Sequence, residues 1–306
     1  MFRLNILCFL LISVFVNVSA ADNAEFHSDL SRILVEGISN EQDTLVIIEA
    51  LKVGSETDVI MASEIAGRSP DFLKGHTNVL IDAYLRSNEG IALLPLEAIG
   101  KSSPPNQKIL EVLRGYLGGD LLERTRLYRE VRVVPSVGGY LQNNIIEFVL
   151  ASASEEERLL AFTCLSKGAR DGGSFDADLL ASTLMATVDA GPSLIDRAGA
   201  IECLGIIHPA LKNKTKQAVN TVLSETLRSN DRHLALFAAR ESLSIGIHTE
   251  NALSVAASSF SEPDQQLRAN ASVLFQKYVS KDEAEALLRG VVGENEVVEI
   301  VNNIYK

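Results

Sequence analysis

The chain has 306 residues, 46% of them apolar, and a formal net charge of −12 at neutral pH. That acidic balance argues against non-specific attachment to nucleic acid or anionic membranes, because both require clustered Lys and Arg. At this length a compact globule can divide into two domains, whereas a solenoid, whose units touch their neighbours alone, needs no division.

The first twenty residues have the layout of a secretory signal. Arg3 supplies a positive amino-terminal region, Ile6 to Val16 is almost wholly apolar, and Val18-Ser19-Ala20 places small residues where a signal peptidase reads. Cleavage after Ala20 is expected, and the apolar run is too short to span a bilayer comfortably. Removing Arg3 takes the charge to −13. No later stretch approaches ~20 apolar residues, so the mature chain is expected to be exported to a periplasm or secreted, with no transmembrane segment.

Beyond the leader, segments rich in Leu, Ala, Ile and Val with helical periodicity alternate with short polar or Gly/Pro turns, while strand signals are scarce. The expected class is all-α. Helices are expected near 29–38, 42–52, 57–66, 71–85, 91–99 and 106–117. Residues 118–140 break the pattern. Arg124, Arg126, Arg129 and Arg132 crowd together with Tyr128 and are followed by Val134-Pro-Ser-Val-Gly-Gly-Tyr140. On a helix Arg129 and Arg132 share a face, as do Arg126 and Glu130. The arginines and Tyr140 form a candidate binding patch for a carboxylate-rich or phosphorylated partner, although Glu123 and Glu130 partly neutralise them. Val134 to Tyr140 reads as a turn, placing a boundary between 21–134 and 135–306.

The carboxy-terminal half carries a repeat. Its copies are Arg158-Leu-Leu-Ala161-Phe-Thr-Cys-Leu165, Arg197-Ala-Gly-Ala200-Ile-Glu-Cys-Leu204, Arg232-His-Leu-Ala235-Leu-Phe-Ala238 and Arg268-Ala-Asn-Ala271-Ser-Val-Leu274. The arginines are 39, 35 and 36 residues apart, a period typical of stacked helical hairpins. Glu155, Asp196, Asp231 and Asp264 precede or flank them, as suits a first helical turn. Second helices are expected near 176–189, 212–227, 250–260 and 282–292, with Pro192, Pro209 and Pro263 at the joints. The arginines are expected to form a structural ladder, each guanidinium reaching an acid or carbonyl of the next unit. This arrangement resembles the HEAT-like repeat family in its short Arg-x-x-Ala variety. The resemblance covers about 155–292 and is looser before that. It implies a right-handed superhelix whose second helices line a concave, protein-binding surface, with both halves in one continuous array.

Chemistry-bearing motifs are sparse. The five histidines are scattered, without a His-x-x-x-His pair, so no metal or cofactor is expected. Asp171-Gly-Gly-Ser-Phe-Asp176-Ala-Asp178 lacks the acids of a calcium loop, and Ser174 or Asp176 more simply caps a helix. Arg240-Glu241-Ser242-Leu243 resembles the start of the catalytic motif of lytic transglycosylases but lacks what should follow. Asn213-Lys-Thr215 and Asn270-Ala-Ser272 match the glycosylation pattern, the second in a helix and expected to be inaccessible. Cys164 and Cys203 occupy equivalent places on successive helices, which favours buried free thiols over a bridge. The reading is an exported, non-enzymatic scaffold that binds a protein or peptide. The alternatives are a chaperone or inhibitor using the arginine patch, and a glycan-cleaving enzyme using Glu241.

Overall fold

The computed structural model describes residues 26–101, 107–172 and 174–306. The expected signal at residues 1–20, Cys8 included, lies outside them. Among the described residues the regular structure is wholly helical, and no helix is long and apolar enough to cross a membrane. The helices are α1 (His27–Glu36), α2 (Glu41–Val53), α3 (Glu56–Arg68), α4 (Pro70–Arg86), α5 (Glu89–Gly100), α6 (Gln107–Gly115), α7 (Leu121–Val133), α8 (Pro135–Ser152) and α9 (Glu155–Arg170). They continue as α10 (Ala177–Ala190), α11 (Leu194–Ile207), α12 (Asn213–Thr226), α13 (Arg232–Ile245), α14 (Thr249–Ser258), α15 (Gln265–Tyr278), α16 (Lys281–Leu288) and α17 (Glu294–Ile304).

Local chemistry accounts for most helix starts. A Ser, Asn or Asp side chain accepts from a first-turn N–H at eleven of the seventeen described helices: Asn40, Ser55, Ser69, Asn88, Asp120, Ser154, Asp176, Ser193, Asp231, Asp264 and Ser280. Each such cap typically contributes about 1 kcal/mol. Asp176, not Ser174, caps α10, its carboxylate accepting from Leu179 N at 3.0 Å.

The chain forms two compact units that divide between Ile109 and Leu110. In the first, α3 packs against α1 and α5, and α2 against α4. Its core includes Leu30, Ile33, Ile47, Leu51, Ile65, Leu80, Tyr84 and Leu96. In the second, α7, α9, α11, α13, α15 and α17 each pack on the next of that series, with α8, α10, α12, α14 and α16 between them in sequence. The junction at residues 134 and 135 falls between two packed helices of this second unit.

The four repeat alanines lie on first helices of the second unit. Ala161, Ala200, Ala235 and Ala271 are all fully or almost fully buried.

Residues 134–140, expected as a turn, instead open α8 with Pro135 in its first turn. The glycines are there for close approach. A Cβ on Gly138 would stand 2.3 Å from the Phe175 ring and 2.6 Å from the Val131 carbonyl, and one on Gly139 would stand 2.4 Å from the Ser174 backbone. The loop that carries Phe175 lies against α8 and is clamped there by Gln142. This buried side chain donates to Asp176 O and accepts from Asp176 N, both at 2.8 Å.

Candidate functional site

Within the second unit, the first helices are joined by arginines. Arg158, four residues into α9, places Nε 2.7 Å and Nη2 2.8 Å from the two carboxylate oxygens of Asp196, the third residue of α11. Its Nη1 donates to Ala153 O at 2.6 Å. Arg124, four residues into α7, repeats the arrangement. Its Nε and Nη2 donate to Glu157, the third residue of α9, at 2.7 and 3.2 Å, and its Nη1 donates to Gly119 O at 2.6 Å. The carboxylates are almost completely buried and the guanidiniums about one-fifth exposed. Bidentate pairing of this kind matches the planar fork to both carboxylate oxygens.

Arg124 thus occupies the same place in α7 as Arg158 in α9, 34 residues later, with Leu127 where Ala161 stands. Its guanidinium is engaged by Glu157 and lies over the Phe148 ring, 5.3 Å from its centroid. Of the other arginines in the candidate patch, Arg126 pairs with Glu130 at 2.7 Å, as helical spacing implies, and lies 5.6 Å from the Tyr116 ring centroid. Arg129 and Arg132 are exposed on α7. Tyr140, half exposed, lies on α8.

Glu157 is the hub of this arrangement. Besides Arg124 it accepts from Tyr128 Oη at 2.8 Å, and its backbone N–H donates to the cap Ser154. Burial would raise its carboxyl, but the Arg124 and Tyr128 hydrogen bonds outweigh burial and hold it below the usual range. For Asp196 the Arg158 hydrogen bond is the largest influence, and its carboxyl is likewise depressed. The acid that Arg158 serves therefore belongs to the following unit. Glu155, suggested by sequence as its flanking acid, makes no ion pair among the described contacts.

The expected ladder does not run through all four repeat arginines, because Arg197 and Arg268 turn back to carbonyls that precede them. Arg197 Nε donates to Val188 O at 2.8 Å. The acid equivalent to Asp196 in the next repeat is Asp231, four residues before the repeat alanine, but α13 starts late and Asp231 is its cap, accepting from His233 N and Leu234 N. Arg232 reaches Glu262 at 3.1 Å and stays half exposed. Arg268 Nη1 donates to Glu262 O. The sequence signal for the ladder was the acid immediately before each of four arginines: Glu123-Arg124, Glu157-Arg158, Asp196-Arg197 and Asp231-Arg232.

Glu241 lies inside α13 at the seam with α11. It is buried, pairs with Arg240 at 2.7 Å, and its Oε2 would stand 2.1 Å from a Cβ on Gly205. Burial pushes its carboxyl up, against the pull of Arg240. Arg240 also reaches Glu202 of α11 at 2.9 Å. His208 and His248 both meet Asn220 of α12, at its Oδ1 and O respectively, and His233 meets Asp264. No group of three or more His, Cys, Asp and Glu side chains is gathered for a metal among the described residues.

Cys164 and Cys203 are both buried and unpaired. Burial raises both thiols, that of Cys203 to about 12, although a Thr163 hydrogen bond to Cys203 pulls the other way. Asn213 opens α12 on the surface. Asn270, expected to be inaccessible, is partly exposed in α15, at the margin of the face that buries Leu267 and Leu274. Compared with known proteins, the chain matches no family model and no curated sequence.

Proposed function

We propose that the chain is an exported, non-enzymatic scaffold, a HEAT-like array of helical hairpins that binds a protein or peptide along its second helices. The observation that carries this reading is the repeated rung: Arg124 to Glu157 and Arg158 to Asp196, with identical helix positions and nearly identical geometry. A chain that uses its recurring charges to brace neighbouring hairpins leaves the opposite helices available for contact along their length. The exposed positions of those helices include hydroxyls and amides, among them Ser182, Thr221 and Ser254.

The test has two parts. The amino terminus of the chain recovered from its native compartment is expected at Ala21, and a retained Met1 overturns export. Photo-crosslinking residues at Ser182, Thr221 and Ser254 are expected to yield discrete crosslinked partners in the native compartment. Yields no higher than those at the exposed Asn302 of α17 overturn the second-helix surface.

A further inference from the structure

The ladder aligns the first turns of α7, α9 and α11. In each, the third residue is an acid and the fourth an arginine, and the arginine of one helix grips the acid of the next. The first two residues of these helices therefore lie in a row along one edge of the second unit. They read Leu121-Leu122, Glu155-Glu156 and Leu194-Ile195. The four apolar side chains are 55%, 69%, 41% and 51% exposed. None caps its helix, since Asp120 and Ser193 do that. Single exposed apolar residues are ordinary. Matched pairs at equivalent positions on either side of an acidic pair are not accounted for by helix formation.

The charge between the apolar pairs is unbalanced. Glu157 and Arg158 are neutralised by their ladder partners, whereas Glu155 and Glu156 make no ion pair among the described contacts. The amino-terminal dipole of α9 offsets them by only about half a charge, so the middle of the row stays negative.

We propose that this row is a docking edge for an extended peptide segment of the form apolar-x-x-basic-x-x-apolar. Packed helix axes are about 8–10 Å apart, and an extended chain advances about 3.3 Å per residue, so three residues of the partner span one helix step. Its basic residue meets Glu155 and Glu156, and its apolar residues meet Leu121-Leu122 and Leu194-Ile195. A second copy of this chain is a poor occupant, because a two-fold axis through the centre of the row would set the acidic pair against its own copy. The proposal does not depend on the second-helix surface, which lies on other helices.

The probe is a fluorescein-labelled peptide containing Leu-Ser-Thr-Lys-Ser-Thr-Leu, titrated with the full mature chain and followed by fluorescence anisotropy. Saturable binding is expected at low salt. It should weaken at least tenfold when the peptide lysine becomes glutamate, in the Glu155→Gln/Glu156→Gln variant, and in the Leu122→Ser/Ile195→Ser variant. Thermal unfolding of both variants should match the parent, and the peptide swap tests the charge requirement on the unaltered protein. Absence of saturable binding, or binding unaffected by the peptide swap, overturns the proposal. So does self-association of the chain that the Leu122→Ser/Ile195→Ser variant abolishes, since the occupant is then a second copy.

Discussion

Glu157 shows how much of this molecule depends on single buried charges. It is almost inaccessible, yet it receives a bidentate arginine and a buried tyrosine hydroxyl. A buried charge stripped of its partner is costly, whereas a pair replaced together by apolar groups often is not. Arg158→Ala, which leaves Asp196 in place without its guanidinium, is expected to lower stability by about 3 kcal/mol in urea unfolding. The double change Arg158→Met/Asp196→Leu is expected to recover most of that loss. If both variants lose equally, the rung does not act as a paired unit. Glu241 is the opposite case. Burial raises its carboxyl, so the folded state binds its proton more tightly than the unfolded chain does. Stability from this group is full below the unfolded value of about 4.3 and falls as pH rises through the raised folded value. Glu241→Gln should therefore gain stability relative to the parent at pH 7, and that gain should shrink as pH is lowered towards 4. A gain that does not change with pH contradicts this account.

At the scale of elements, helix placement was largely legible in the sequence. The spacing placed helices over 42–52, 57–66 and 71–85, and the structure has α2, α3 and α4 there within a few residues. Caps explain the agreement, because a Ser or Asp acts on N–H groups two or three residues away. The reading of 134–140 as a turn was wrong for a related reason. A Gly-Gly pair after proline signals chain reversal locally, but here it admits the Phe175 loop, more than thirty residues on. Gly138→Ala should therefore destabilise by about 1–3 kcal/mol through overpacking, where an ordinary helix position would gain from alanine. A stabilising result in chemical unfolding would remove the close-approach explanation. The arginine cluster was likewise divided by packing: Arg124 braces α7 to α9, while Arg129 and Arg132 remain exposed.

For the molecule as a whole, the depressed carboxyls set the acid limit: Glu157 and Asp196 of the ladder, together with Asp43, Asp178, Asp264 and Glu283. Their folded values lie below their unfolded ones, so their contribution is complete above about pH 5 and is lost as pH falls through the folded values. Equilibrium unfolding should show stability declining below about pH 4, and Glu157→Gln/Asp196→Asn should flatten that decline. The repeat also permits an excision. Removing residues 157–195 brings Asp196 to the place of Glu157, so Arg124 meets an acid at the same helix position. The shortened chain is expected to fold, with a denaturant dependence lower by about an eighth, in line with the surface removed. Failure to fold would show that neighbouring repeats are not interchangeable in this register.

The sequence by itself determined the all-helical class and much of the helix capping, because each follows from interactions within a turn or two of helix. Tertiary structure decided what each charge does. Arg124 and Arg129 are five residues apart, yet one is locked to Glu157 and the other lies exposed on the surface of α7. Asp196 and Asp231 hold the same place in the repeat, yet one accepts an arginine and the other caps a helix that begins late. Ion pairing depends on the position of a second helix to within an ångström or so, and that position is set by the packing of seams far apart in sequence.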